Sequence, residues 1–121
     1  MTRRHAGIGI AALGAALAFA TPSFAIDYAP IDCAKAETPA DRTVCSTYTL
    51  GQDEARMATL YGIATALVAM GQRGDIQDAQ RAFIREREAC GADTGCLSRV
   101  YANRIRQLDG VIATIASRGP F

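Results

Sequence analysis

The chain contains no tryptophan and a single histidine, His5. That histidine lies in an amino-terminal stretch with the form of an export signal, so the exported part has none. Without imidazole, a Ser-His-Asp triad, a histidine general base and the usual zinc sites are all unavailable. No C-x-x-C pair occurs, which removes thioredoxin-like redox chemistry. Beyond residue 25, Lys35 is the only lysine, and the remaining cations are arginine. Without residues 1–25 the chain keeps 11 basic against 12 acidic residues, a net charge of −1. Such a balance creates no field suited to nucleic acid or to an anionic membrane. No alternating apolar–polar run marks a strand, and there is no internal repeat. A carboxylate pair could support acid–base chemistry, but no spacing singles one out. The sequence therefore predicts neither a catalytic residue nor a metal or cofactor, and the chain is not expected to be an enzyme.

The first 25 residues read as a signal peptide. Arg3, Arg4 and His5 form the basic region, and the run from Ala6 to Ala20 is apolar. Pro22 breaks that run, and Ser23-Phe24-Ala25 places small residues at −3 and −1, so cleavage is expected after Ala25. The run is shorter than the roughly 20 residues of a membrane span. Lipid attachment is not expected either, because Asp32 directly precedes the first exported cysteine, Cys33. Residues 26–121 are expected to form one domain, without a membrane anchor and located in the periplasm or outside the cell.

Four helices are predicted there. Thr38-Pro39-Ala40-Asp41 is a strong start: Thr38 caps, Pro39 suits the first helical position and Asp41 answers the cap. This short helix should reach about Ser46, with a turn or break over Thr47 to Gly51. From Gln52 to Met70, residues Met57, Leu60, Tyr61, Ala64, Leu67 and Val68 follow the helical period. Gly71 and Gly74 bracket the exit, and Asp75 is the expected cap of the next helix, whose core face is Ile76, Ala79 and Phe83. Its crowded second half, from Arg81 to Glu88, should mostly face solvent. Asp93 or Thr94 opens the last helix, in which Leu97, Tyr101, Ile105, Leu108, Ile112 and Ile115 form the cleanest stripe. Arg104 is expected at the edge of that stripe, stem packed and head in water. The fold class is all-α: a small antiparallel bundle of three longer helices plus a short amino-terminal one.

Cys33, Cys45, Cys90 and Cys96 are spaced C-x11-C and C-x5-C. Zinc motifs usually use C-x2–4-C pairs, so a four-cysteine metal site fits poorly, and export favours oxidation. Four cysteines allow three connectivities. The helix reading favours local pairs. Cys33–Cys45 would pin the irregular lead-in to the short helix, and Cys90–Cys96 would fix the turn between the last two helices. Two disulfides are thus expected to staple the bundle.

The stretch Asp32-Cys33-Ala34-Lys35-Ala36, then Thr38-Pro39-Ala40-Asp41-Arg42 and Val44-Cys45-Ser46, resembles the opening of the LprI-type lysozyme-inhibitor family. Gln80-Arg81-Ala82-Phe83-Ile84-Arg85-Glu86-Arg87, Cys90-Gly91-Ala92-Asp93, Cys96-Leu97, Tyr101 and Arg104-Ile105 resemble its carboxy-terminal half. Leu50, Glu54, Met57 and Tyr61 match a helix of the family at the same offsets. Phe83 stands where the family commonly has Trp, Asp53 where an apolar residue is usual, and Glu54 where Asp is usual. The resemblance implies a small exported bacterial domain that binds a lysozyme-type glycosidase. The partner would be such a glycosidase or, alternatively, another envelope protein. The candidate binding residues are Asp32 and Glu37 beside the first cysteine pair and Asp93 in the second cysteine loop. Asp27 and Asp41 add to the first acidic surface. An alternative contact face is the arginine-rich one of Arg81, Arg85, Arg99 and Arg106.

Overall fold

The structure, a computed structural model, describes residues 28–119; the expected signal peptide and its cleavage point lie outside them. A single 3₁₀ turn, Cys33–Lys35, leads into four helices: α1 (Pro39–Ser46), α2 (Tyr48–Leu67), α3 (Met70–Cys90) and α4 (Thr94–Ala116). The fold is all-α, one short helix and three longer ones, as the periodicity predicts.

Several starts follow their expected chemistry. Thr38 Oγ1 accepts from the Asp41 amide at 3.0 Å, with Pro39 at the first helical position of α1. Asp93 Oδ1 accepts from the Cys96 amide at 2.9 Å and caps α4. Gly91, just past the end of α3, has φ +55°, a conformation that glycine takes without the steric penalty of a Cβ.

Two boundaries differ from the sequence reading. The break expected over Thr47–Gly51 is confined to Thr47. That residue ends α1 through its amide to the Thr43 carbonyl (3.1 Å) and opens α2 through its carbonyl to the Gly51 amide (3.0 Å). Leu50 is the reason: it is fully buried, and only a helical register carries it to the core together with Glu54 and Met57. Tertiary burial overrides the weak local propensity.

The second difference is at the α2–α3 corner. The helix expected to run to Met70 stops at Leu67, and Val68 and Ala69 are extended. Gly71, Gly74 and Asp75 therefore lie inside α3, and Asp75 is not its cap. Val68 turns inward and is buried, whereas Leu67, expected in the core stripe, and Met70 are exposed. Arg73, from the first turns of α3, donates its Nε–H to the Thr65 carbonyl at 2.8 Å. This supplies a donor that the last turn of α2 lacks.

Helix α3 runs antiparallel to its neighbours. Its Gln80 donates to Met57 Sδ on α2 at 3.2 Å, and its Phe83 ring meets Tyr101 on α4 edge-on at 5.2 Å. Helix α2 packs most extensively on α4. The core comprises Leu50, Met57, Tyr61, Ala64, Ile76, Phe83, Leu97, Tyr101, Ile105, Leu108 and Ile115, closed at one end by Ala40, Val44 and Tyr28. Cys33 is bonded to Cys45 and Cys90 to Cys96, with Cα–Cα distances of 5.6 and 5.5 Å. Both bonds lie at the end of the bundle where α2 starts, α3 ends and α4 starts.

Candidate functional site

That end is organised around a buried charge. Glu54 of α2 accepts from the Tyr28 hydroxyl at 2.6 Å and the Ile31 amide at 3.2 Å on Oε1, and from the Tyr101 hydroxyl at 2.5 Å on Oε2. Arg87 of α3 lies beside it, with Nη1 3.9 Å from Glu54 Oε2 and 3.0 Å from the Tyr28 hydroxyl that accepts from it. Nη2 donates to Asp41 of α1 at 3.1 Å and to Glu88 at 2.9 Å. The guanidinium also stands 6.0 Å from the centroid of the Phe83 ring. One carboxylate and one guanidinium thus tie the lead-in and all four helices together. Among the described residues no buried side-chain nitrogen or oxygen lacks a partner.

This network departs from the sequence reading. The second half of α3 is not wholly solvent-facing: Arg87 is buried, 6% exposed. Asp41, besides its place in the α1 start, holds Arg87. Nor is Arg104 at a wet edge. It is 4% exposed, held by Gln80, Gln107 and the Ile76 carbonyl. Among the described residues no carboxylate pairs with it, and three of its five N–H groups go to neutral acceptors. The signal for all three charges was present in the sequence. Glu54 lies in register with Leu50, Met57 and Tyr61, Arg87 with Ile76, Gln80 and Phe83, and Arg104 with Leu97, Tyr101 and Leu108. A charge on an apolar stripe is carried inward with the stripe.

Burial, followed by the Glu54 charge and hydrogen bond, raises the hydroxyl pKa of Tyr28 and of Tyr101 well above the ordinary tyrosine range. Burial alone would lower Arg87, but Tyr28, Glu88, Tyr101 and Glu54 outweigh it and hold it above its ordinary range. The sign for stability follows. The native state keeps both phenolic protons above the unfolded pKa of about 10, where the unfolded chain loses them. The tyrosine contribution is therefore complete below about pH 10 and declines as pH rises, by about 1.4 kcal/mol per tyrosine per pH unit. Urea midpoints measured between about pH 9 and 11 should show this decline, and Tyr28→Phe should reduce its slope by one proton. Equal slopes for both proteins would contradict it.

A groove opens on the outer face of the same end. It has a volume of about 360 Å³ and is lined by Pro30, Ile31, Val44, the Cys33–Cys45 bond and the first two turns of α2 from Tyr48 to Ala55. Tyr48 stands at its edge, 81% exposed. Helical register explains this: Tyr48 lies off the stripe of Leu50, Glu54, Met57 and Tyr61. It is an exposed aromatic outside the candidate binding residues of the sequence analysis, and this offset was its only signal.

Asp32, Glu37 and Asp93 are exposed, Asp41 is half-buried, and Asp27 lies outside the described residues. Asp32 caps the 3₁₀ turn by accepting from the Ala34 amide at 3.0 Å, and its other oxygen is 3.8 Å from Lys35 Nζ. Glu37 follows that turn, and its carbonyl accepts from Arg42. Asp93 caps α4 in the second cysteine loop. Asp32 and Glu37 flank one disulfide and Asp93 lies beside the other. Among the described residues no group of His, Cys, Asp or Glu is arranged to hold a metal ion. On the arginine-rich face, Arg81 pairs with Asp78 and Arg106 donates to Asn103. No described helix is long and apolar enough to cross a membrane.

No curated protein and no solved structure matches the chain. A family model described as Lysozyme inhibitor LprI matches residues 33–108, which include all four cysteines, Tyr48, Glu54, Arg87 and Asp93. The match covers well over half of the 121 residues, and with the four-helix, two-disulfide architecture it establishes that the chain belongs to the LprI lysozyme-inhibitor family.

Proposed function

We propose that this chain is exported, cleaved after Ala25, and blocks a cationic lysozyme-type peptidoglycan hydrolase through the disulfide-bounded end of its bundle. Family membership supports the partner class, and Tyr48 supports the surface. A tyrosine 81% exposed beside an apolar groove contributes nothing to the core, yet it has the anatomy of a binding hot spot: a large aromatic with little side-chain entropy to lose, next to a recess that a partner side chain can fill. Asp32, Glu37 and Asp93 surround that end with negative charge suited to a cationic partner. The buried Glu54–Arg87 network and both disulfides hold the surface rigid, which lowers the cost of ordering it on binding.

The test is lysis of peptidoglycan-containing cells by lysozyme, with and without the oxidised protein, alongside a direct binding titration. Inhibition is expected. Tyr48→Ala should weaken it by roughly 30-fold, the loss of one hot-spot side chain, with no change in melting temperature. Leu67→Ser, at the opposite end of α2, should leave it intact. Asp32→Asn, Glu37→Gln and Asp93→Asn should mainly slow association and reduce its salt dependence. Full inhibition by Tyr48→Ala would remove this surface from the proposal. No binding to lysozymes of several types would favour an envelope interaction module instead.

A further inference from the structure

A second recess runs between α3 and α4. Its larger lobe, about 370 Å³, has apolar walls of Ile76, Ala79, Leu108 and Val111. A smaller lobe of about 100 Å³ continues it toward Phe83. Arg104, Gln107 and Ala79 line both lobes, so the buried guanidinium lies where they meet.

No carboxylate of the described residues forms an ion pair with Arg104. Its hydrogen bonds all go to neutral oxygens: Nε to Gln80 Oε1 at 2.8 Å, Nη1 to Gln107 Oε1 at 3.1 Å and Nη2 to the Ile76 carbonyl at 3.0 Å. A guanidinium has five N–H groups, so one remains on each Nη. Arg87, also buried, has three carboxylates around it. The contrast matters because a buried charge without a counter-charge is costly and is characteristic of binding sites. Burial pushes the Arg104 guanidinium below the ordinary arginine range, the direction expected of a cation that lacks its counter-ion. Gln107 is exposed, and its contact can open without disturbing the core.

We propose that the α3–α4 groove binds a small carboxylate with an apolar body, the carboxylate taken by the two remaining Nη–H groups of Arg104 and the body lying against Ile76, Ala79, Leu108 and Val111. Arginine's planar fork of N–H donors meets a carboxylate through charge-assisted hydrogen bonds that the point charge of lysine does not match. Asp75, on the rim of the same lobe, opposes any anion that enters and selects for ligands whose apolar part outweighs that repulsion. This site is separate from the Tyr48 surface, and neither depends on the other.

N-acetyl-leucine is a suitable probe and N-acetyl-leucinamide its uncharged control, each titrated into the oxidised protein while backbone amide shifts are followed by NMR. The acid should give saturable shifts centred on Ile76, Ala79 and Leu108 with a roughly millimolar Kd, the strength typical of a ligand of that size. The amide should give none at the same concentrations. Arg104→Lys should weaken the acid at least tenfold, because it keeps charge and loses the fork. If that variant folds poorly, Ala79→Leu tests the site independently, since it fills both lobes without touching the charge and should abolish the shifts. Asp75→Asn should tighten binding severalfold. Equal shifts from acid and amide, or acid shifts unchanged by Ala79→Leu, would overturn the proposal.

Discussion

Replacing Glu54 with alanine is expected to lower the unfolding free energy by about 3–5 kcal/mol, the cost of removing one partner from a buried ion pair. The reason is what the substitution leaves behind. The hydroxyls of Tyr28 and Tyr101 and the Ile31 amide lose their common acceptor. Arg87 keeps Asp41 and Glu88 but loses the carboxylate deepest in the bundle. Glu54→Gln preserves shape and one acceptor oxygen, so it should cost less, about 1–3 kcal/mol, the penalty of one tyrosine hydroxyl left without an acceptor. Urea unfolding followed by circular dichroism measures both. A domain of this size has a total stability of roughly 5–15 kcal/mol, so Glu54→Ala should lose a large share of it and unfold at a markedly lower urea concentration. A loss below about 1 kcal/mol would mean that the network is dispensable. A double-mutant cycle between Glu54→Gln and Tyr28→Phe should show coupling of about 1–3 kcal/mol, because each removes the other's partner.

The second large effect concerns the disulfides. Their sequence separations are 12 and 6 residues. Loop-closure entropy gives roughly 3 kcal/mol for the Cys33–Cys45 bond and about 2.4 kcal/mol for Cys90–Cys96. Reduction of both should therefore cost about 5 kcal/mol and lower the melting temperature by roughly 20–40 °C. The two losses should differ in kind. Cys90–Cys96 closes a turn that Gly91 and the Asp93 cap already shape. Cys33–Cys45 holds a lead-in whose other anchors include Tyr28, packed edge-on against Tyr61 at 6.0 Å, and the Ile31 amide on Glu54. Cys33→Ser/Cys45→Ser should thus also loosen the Tyr28–Glu54 contact, read as faster exchange of the Ile31 amide, while Cys90→Ser/Cys96→Ser leaves that amide protected. Equal exchange in both variants would show that the lead-in is held without its disulfide.

The two effects are linked to the proposed binding surface. The groove beside Tyr48 is built from the lead-in, α1 and α2, which are joined by the Cys33–Cys45 bond and by Glu54. Loss of either should weaken inhibition through loss of shape, whereas Tyr48→Ala should weaken it with the fold intact. Comparing melting temperature with inhibition across these variants separates the residues that hold the surface from the one that makes contact.

Local and periodic features of the chain were legible without coordinates. Capping chemistry at Thr38-Pro39 and Asp93 determined where α1 and α4 begin, because the orphan amides of a first turn need a nearby acceptor. Period 3.6 determined three long amphipathic helices, and the nearness of each cysteine pair to a turn determined the short-range pairing. Tertiary structure decided what depends on distant partners. The glycines at 71 and 74 suggested an end to α2, yet they lie within α3, because the chain reverses where Val68 is buried. Glu54, Arg87 and Arg104 lie on apolar stripes, which carries them inward, but the stripes do not name their partners. Their partners are 23 to 59 residues away for the central contacts, so only the packed bundle shows that one carboxylate serves two tyrosines and an arginine while another arginine is left with neutral acceptors. Helix formation and capping are local interactions, whereas the sharing of a buried charge is a property of the assembled core.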